Sequence, residues 1–498
     1  MSEPNTGFRS PNLLQSAIPL IVLIGFLTLN VLFFRDDTLS GANQMALLLS
    51  AGVCSLLALR LGFRWNDLFD GMLNSIGAAM PAMLILLLIG SLAGTWLLSG
   101  VVPTLIYYGL LVLHPSIFLF AACIICSLVS VATGSSWSTV ATLGIALLGI
   151  GKALGIHEGI IAGAIISGAY FGDKISPLSD TTNLAPAMAG TDVFTHVKYL
   201  LYTTVPSIVI TLIILLIWGF TLQSKDTSLD VQNVMEAING TFQISPWLLL
   251  VPTLTIVVIL MKTPAIPALM FATLLGAAFA LIFQPDIIKQ VGEHEGGWGI
   301  NAYMACFKAM FGPIQIETGQ PEVNELLATK GMAGMLNTIW LIISAMIFGG
   351  AMEVTGMLKR LIRIIIDRAK STVALVSSTA ATCIFFNITA SDQYMAIVVP
   401  GRMFAPVYRQ RGLKPEVLSR TLEDSGTVTS VLIPWNTCGA TQSAVLGVST
   451  WIYFPYAFFC LISPLMTMLF AWLNIRIRRL SPEEMAEPAK TSIAEKKD

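Results

Sequence analysis

Charged residues are scarce in this chain. Only 11% of its 498 residues are Asp, Glu, Lys or Arg, against about 25% in soluble proteins, and 55% are hydrophobic. So few charges cannot build a soluble surface, which excludes most soluble enzymes and makes lipid the expected solvent. The net charge of −1 provides no field for attracting nucleic acid, so DNA and RNA are excluded as partners.

Histidine and cysteine are also too few for the common metal and redox chemistries. The four histidines are scattered, and the seven cysteines lie almost all in apolar runs without paired spacing, which gives no disulfide framework. The pair Cys123 and Cys126 fits small apolar packing better than redox chemistry. We expect no cofactor, and we expect that the protein is not an enzyme. The residual enzyme hypothesis is Ser/Lys hydrolysis by Ser176 and Lys174.

Long apolar runs recur from residue 13 to residue 473. A helix needs roughly 20 apolar residues to cross a bilayer, and about fourteen segments approach that length. This predicts an all-α polytopic membrane protein with about 12 to 14 spanning segments. The clear runs are 13–34, 42–62, 72–99, 116–132, 198–220, 246–262, 264–284, 334–357, 372–388 and 451–473. The polar or Gly/Pro-rich ones are 134–151, 158–182, 390–408 and 417–441.

Lysine and arginine concentrate in the loops 359–370 and 402–420 and near the end of the chain. The positive-inside rule places these loops and both termini in the cytoplasm. The predicted organisation is a cytoplasmic N-terminus at 1–12, a first transmembrane repeat at 13–220, an external loop at 221–245, a second repeat at 246–473 and a disordered cytoplasmic tail at 474–498.

The sequence repeats itself at an offset of about 256 residues. The segment GTWLLSG, which ends at Gly100, corresponds to GAMEVTG, which ends at Gly356, and TGSSWST from Thr133 corresponds to TASDQYM from Thr389. Loops that are basic in the second half have nearly uncharged counterparts in the first. Equivalent loops therefore lie on opposite sides of the membrane, which predicts two inverted-topology repeats with broken or re-entrant helices at the midplane.

Polar interruptions at corresponding positions of two such halves predict the binding site, because unwound backbone in a membrane must line a cavity or be buried in protein. Their side chains are carboxylates, hydroxyls and amides. Such oxygens suit a hard cation such as Na⁺ or Li⁺, and an intramembrane carboxylate can also hold a proton. The predicted ion and proton ligands are Asp180, Asp173, Ser179, Thr181, Thr182, Thr133, Ser135, Ser136, Asp392, Thr389, Glu423 and Asp424.

Asp180 and Asp392 are the leading candidates for direct metal coordination, and each has a structural alternative as a helix cap. Asp173 adjoins Lys174 and is equally well interpreted as one partner of an ion pair with it. Arg420 can likewise form a salt bridge with Glu423 or Asp424. A carboxylate-binding protein would need a cationic anchor, for which Lys174 and Arg402 are the candidates.

The stretch SGAYFGDKISPLSDTTNLAPAMAGTD at 167–192, preceded by TGSSWST and GTWLLSG, resembles the NhaC-type Na⁺/H⁺ antiporters, from about Gly71 to Trp472. The resemblance implies exchange of cytoplasmic Na⁺ or Li⁺ for external H⁺ in a bacterial plasma or inner membrane. The resemblance supports this set of site residues: Asp173, Ser176, Asp180, Thr181, Thr182, Thr133, Ser135 and Ser136.

Some proteins that resemble this family exchange malate and protons for lactate and Na⁺, so a Na⁺/H⁺-coupled carboxylate exchanger is the alternative function. The expected partners are Na⁺ or Li⁺, protons and membrane lipid, and the candidate assembly is a homodimer.

Overall fold

A computed structural model describes residues 9–34, 40–222, 231–293 and 297–486. The predicted N-terminus, external loop and tail lie partly outside these residues, at 1–8, 223–230 and 487–498. The domain boundaries therefore stay predictions.

The first half of the chain is built from helices. They are α1 (Leu13–Phe34), α2 (Ala42–Arg60), α3 (Trp65–Leu98), α4 (Val101–Val112), α5 (Pro115–Thr133), α6 (Ser136–Thr139), α7 (Ile145–Ala153), α8 (Glu158–Ile175), α9 (Asp180–Ala189) and α10 (Val193–Leu222). A π-helical turn, Val140–Gly144, joins α6 to α7.

The second half is helical apart from one small sheet. Its helices are α11 (Val231–Thr241), α12 (Leu250–Leu260), α13 (Ala265–Phe283), α14 (Pro285–Gly292), α15 (Trp298–Phe311), α16 (Pro321–Leu326), α17 (Leu336–Val354), α18 (Met357–Arg368), α19 (Thr372–Thr389), α20 (Met395–Gln410), α21 (Pro415–Leu422), α22 (Thr437–Leu446), α23 (Thr450–Tyr453), α24 (Phe458–Trp472) and α25 (Pro482–Ala486).

Short irregular elements join these helices. The strands β1 (Ile314–Gln315) and β2 (Ala328–Thr329) pair antiparallel, with Ile314 opposite Thr329. A second π-helical turn, Glu423–Thr427, follows α21 directly. The 3₁₀ helices are Pro246–Leu249, Met332–Met335, Ser430–Leu432 and Phe454–Tyr456.

The mostly helical, polytopic fold is confirmed. In the described ranges, eight helices are long and apolar enough to cross a membrane, and two bent helix pairs raise the number to ten. The prediction of 12 to 14 spans is not confirmed, because the polar segments form short or broken helices. The segment 158–182, for example, is interrupted between Ile175 and Asp180.

The ends of corresponding helices match between the two halves. Residues with a left-handed backbone, which often end a helix, recur 256 or 257 residues apart. These pairs are Gly100 and Gly356, Gly134 and Ser391, Gly155 and Gly412, and Gly190 and Gly447. Helices α4 and α18 have 12 residues each, and α9 and α22 have 10 each.

Glycines allow α8 to pack closely against α5. A Cβ atom at Gly168 would lie 2.2 Å from the carbonyl oxygen of Cys123, and one at Gly172 would lie 2.4 Å from that of Ser127. Only glycine allows such a close approach of the two backbones. This contact holds the end of α8, which carries Asp173 and Lys174, deep inside the protein.

Candidate functional site

The break between α8 and α9 meets the second half of the chain inside the protein. Helix α8 ends at Ile175, and Ser176 adopts an extended backbone just before Pro177, as expected for a residue that precedes proline. The Ser176 hydroxyl donates to the carbonyl oxygen of Val131 at 2.8 Å, which fixes the break against the end of α5. Helix α9 then packs against α20, α21 and the π-helical turn 423–427.

Asp173 is buried against the start of α6. One of its carboxylate oxygens accepts hydrogen bonds from the Ser136 backbone N–H at 3.1 Å and from the Ser136 hydroxyl at 2.6 Å. Ser135 caps the same helix, since its hydroxyl accepts from the Ser138 N–H at 3.2 Å. Two predicted polar segments of the first half, TGSSWST and SGAYFGDKISP, therefore meet at one carboxylate.

The predicted ion pair between Asp173 and its neighbour Lys174 is wrong. The Lys174 ammonium pairs with Asp424 of the second half, and both side chains are fully buried. The Ser463 hydroxyl lies 2.6 Å from the same ammonium, and Thr203 donates to the other oxygen of Asp424 at 2.9 Å. Successive residues on a helix point in different directions, so Asp173 and Lys174 contact different partners.

The predicted salt bridge from Arg420 is also wrong. Arg420 is fully buried, and its three guanidinium nitrogens have no hydrogen-bond partner within the described part of the chain. Its guanidinium carbon lies 4.6 Å from the centre of the Tyr199 ring. Asp424 is held by Lys174 instead, and Glu423 is contacted by Thr181.

Glu423 is a buried acid with one unpaired carboxylate oxygen among the described residues. Its Oε1 accepts a hydrogen bond of 3.0 Å from the Thr181 hydroxyl, and the Ser179 hydroxyl lies 3.1 Å from that of Thr181. Oε2 of Glu423 has no hydrogen-bond partner among the described residues, and the same is true of the hydroxyls of Ser425 and Thr427. The Thr181 and Ser179 hydroxyls therefore lie beside a buried carboxylate that has one unpaired oxygen.

Glu423, Ser425 and Thr427 belong to one π-helical turn. Such turns are rare and occur often at functional sites. Neither the turn nor the roles of Ser425 and Thr427 were predicted, because an amino-acid pattern does not distinguish a π-helical turn from an α-helical one. The signal that could have found them is the spacing of hydroxyls in EDSGT.

The other predicted hydroxyls hold the broken segments in place. Thr182 donates to the carbonyl oxygens of Asp173 at 3.2 Å and Lys174 at 3.0 Å, which ties α9 to the end of α8. Thr133 lies 3.4 Å from the Thr139 hydroxyl. Thr389 donates to the carbonyl oxygen of Phe385 in its own helix at 2.7 Å.

Asp180 and Asp392 differ in their surroundings. Asp180 is the first residue of α9 and is exposed, and within residues 9–34, 40–222, 231–293 and 297–486 no group donates a hydrogen bond to its carboxylate. Asp392 is buried, and its carboxylate caps α20 by accepting from the Met395 N–H at 2.9 Å. The role of both carboxylates as cation ligands stays a prediction.

Two amides that were not predicted as ligands organise the break in the second half. The Asn387 amide donates to the carbonyl oxygen of Gly426 at 2.7 Å and to the Thr429 hydroxyl at 3.0 Å. Asn436 donates to the side-chain oxygen of Asn387 at 3.1 Å and accepts from the Cys438 N–H at 3.0 Å. These bonds tie the end of α19 to the π-helical turn and to the start of α22.

A cavity of about 900 Å³ runs along α22. It extends from Pro434, beside the break, past Ala440 and Ser443, and Lys152 and Lys330 also line it. The cavity therefore extends close to the start of α22, three residues after Pro434.

Apolar spanning helices, broken helices and buried acids from both halves together define a multi-pass membrane transporter. Residues 168–475 match the Na⁺/H⁺ antiporter family. The chain belongs to this family, which consists of transporters and not of enzymes. The identification confirms the resemblance noted in the sequence and the location in a membrane.

Three relatives of this chain are named as antiporters of different substrates. The chain is 39% identical over 450 residues to the malate-2H⁺/Na⁺-lactate antiporter of Bacillus subtilis, covering 90% of this chain and 92% of that protein. It is 38% identical over 433 residues to the Na⁺/H⁺ antiporter NhaC of Alkalihalophilus pseudofirmus, covering 85% and 90%. It is 32% identical over 493 residues to the arginine/ornithine antiporter ArcD of Halobacterium salinarum, covering 98% and 97%.

Proposed function

We propose that this protein exchanges Na⁺ or Li⁺ for H⁺ at a buried cation site centred on Glu423. The observation that carries the proposal is the hydrogen bond from Thr181 to Glu423, which joins α9 of the first half to the π-helical turn of the second. The proposed ligands are Glu423, Thr181 and Ser179, with Ser425 and Thr427 completing the oxygen shell. Asp173 is proposed as a second acid beside the site, because Thr182 of α9 donates to its carbonyl oxygen at 3.2 Å.

Competition for one carboxylate explains the exchange. Hard cations prefer carboxylate and hydroxyl oxygens that replace their hydration shell. A carboxylate buried in a membrane is costly when it is charged and unpaired, so Glu423 is stabilised by either a bound Na⁺ or a proton. Because the Na⁺ and the proton occupy the same oxygens, binding of one releases the other.

We further propose that the two halves are inverted repeats that alternate around this site. The matched helix ends at Gly190 and Gly447 support this arrangement, as do the basic loops after Gly356 and Gly412, whose counterparts in the first half are nearly uncharged. The cavity along α22 is then an access path on one side, and the exposed Asp180 at the start of α9 is an acid on the route from the other. Asp392 is proposed as an accessory cation ligand, and the exposed Asp180 as the acid that attracts cations before they reach the site.

Everted membrane vesicles provide the test. With the wild-type protein, adding Na⁺ or Li⁺ should dissipate an imposed pH gradient, and Glu423→Gln should reduce this response to the level of empty vesicles. Glu416→Gln is the matched control, since Glu416 is a buried acid on α21 that pairs with Arg478 away from the site. A response to Na⁺ that is the same in Glu423→Gln and wild type would refute the proposed site.

The second candidate function is exchange of carboxylates coupled to Na⁺ or H⁺. Two observations favour it: the 39% identity to the malate-2H⁺/Na⁺-lactate antiporter and a cavity far larger than a Na⁺ ion, with Lys152 and Lys330 in its wall. Lys174 is bound by Asp424, Lys152 is paired with Glu158 at 2.8 Å, and Arg402 does not line the cavity, so Lys330 is the anchor to test. Uptake of labelled malate or lactate that falls in Lys330→Ala would support this function.

A further inference from the structure

Arg420 is a buried cation that forms no hydrogen bond or ion pair with any of the described residues. It is fully buried, none of its guanidinium nitrogens has a hydrogen-bond partner among the described residues, and it lies between the rings of Tyr199 at 4.6 Å and Phe470 at 5.9 Å. Aromatic faces offset only part of the cost of burying a charge. A group with this cost requires an explanation.

Arg420 and Asp424 lie one helical turn apart on the same face. Positions i and i+4 on a helix are neighbours, and both side chains face α10. Arg420 contacts Tyr199, and Asp424 accepts a hydrogen bond from Thr203, four residues later in α10. Both also face α24, through Phe470 and Ser463. Two buried acids therefore lie one helical turn from Arg420: Glu416, which is paired with Arg478, and Asp424, which is paired with Lys174 of the first half.

We propose that Asp424 exchanges its cationic partner during transport. In the state described here Asp424 pairs with Lys174 of the first half, and in the opposite-facing state it pairs with Arg420 of its own helix. This inference rests on the alternating access proposed above. The exchange converts a bond between the two halves into a bond within one helix, which frees the halves to move without leaving the Asp424 carboxylate unpaired.

The exchange predicts that loss of Lys174 and loss of Arg420 shift the conformational equilibrium in opposite directions. Loss of Lys174 removes the partner of Asp424 in the present state and favours the state in which Arg420 holds it. Loss of Arg420 removes the alternative partner and favours the present state. A two-state equilibrium shifts by the difference in interaction energy between its states, so the two substitutions should act in opposite directions.

A cysteine in the cavity reports which state is populated. Ser443 lines the cavity along α22, whereas the native cysteines are all buried, so Ser443→Cys is the reporter for a maleimide added to the full-length protein in detergent. We expect Lys174→Gln to slow labelling at least about threefold and Arg420→Gln to leave it as fast as in wild type or faster. The decisive variant is the double substitution, in which labelling should return to the wild-type rate.

A reporter on α14 and a variant that preserves the charge of Arg420 serve as controls. Labelling of Asp286→Cys, whose side chain is 83% exposed in wild type, should not change in any variant. Arg420→Lys keeps the positive charge, so combining it with Lys174→Gln should leave labelling as slow as in Lys174→Gln alone. Equal labelling of Lys174→Gln and the double variant would overturn the exchange of partners. Because the readout is labelling and not transport, loss of Na⁺/H⁺ exchange activity does not affect this test.

Discussion

The Thr181 hydroxyl donates a hydrogen bond of 3.0 Å to the Glu423 carboxylate. The two residues are 242 positions apart in the chain and begin the broken segments of opposite halves. A movement of one half against the other would therefore change the distances between a bound cation and its ligands. This change couples cation binding to transport.

Removing the Thr181 hydroxyl should weaken Na⁺ binding without removing the charge of the site. A hydrogen bond to a charged group contributes about 1.5–3 kcal/mol, so Thr181→Ala should raise the Na⁺ concentration for half-maximal exchange by about tenfold or more. Thr181→Ser keeps the oxygen and should restore the wild-type value. An unchanged half-maximal concentration in Thr181→Ala would show that this hydroxyl is not a ligand.

Asp180 should affect the approach of cations more than their final binding. Its carboxylate is exposed, so Asp180→Asn should lower the rate of exchange at low Na⁺ and be largely compensated at high Na⁺. Glu423→Gln should not be compensated at any Na⁺ concentration. Exchange rates measured over a wide Na⁺ range separate the two cases, and a loss in Asp180→Asn that persists at saturating Na⁺ would make Asp180 a direct ligand.

The buried pair of Lys174 and Asp424 should show strong coupling in stability. Removing one partner leaves an uncompensated buried charge and costs about 3–5 kcal/mol, so Lys174→Gln and Asp424→Asn should each lower the unfolding temperature in detergent. The double substitution removes both charges and should cost less than the sum of the two. Strict additivity in this double-mutant cycle would mean that the two side chains do not interact.

The close contact of α5 and α8 should not tolerate a side chain at Gly168. A Cβ atom there would lie 2.2 Å from a backbone oxygen, which cannot move aside as a flexible side chain can, so Gly168→Ala should destabilise the protein by roughly 1–3 kcal/mol or more. Gly240→Ala is the control, because a Cβ atom at this helical glycine meets nothing within 4 Å. The yield of folded protein and its unfolding temperature measure both effects.

The sequence allowed prediction of the membrane fold and of the segments that meet at the site, because apolar length and polar interruptions are local features. Asp173 and Ser136, for example, come from two segments identified by their composition. Partners across the repeat could not be predicted this way. Lys174 and Asp424 lie 250 residues apart, and no local pattern links them.

Glu423 shows a second limit. It was one of several candidate acids, and only the three-dimensional contacts distinguish it from Asp424, its neighbour in the chain, which is neutralised by Lys174. Asp392 was predicted as a cation ligand, with helix capping as the alternative. The contact observed for its carboxylate is the helix cap.

Proton release on cation binding shows whether Na⁺ and H⁺ share one carboxylate. The purified protein in weakly buffered solution should release protons when Na⁺ or Li⁺ is added, because the cation and the proton compete for the Glu423 carboxylate. We expect this release for wild type and for Glu416→Gln, and none for Glu423→Gln. Undiminished proton release by Glu423→Gln would contradict this competition.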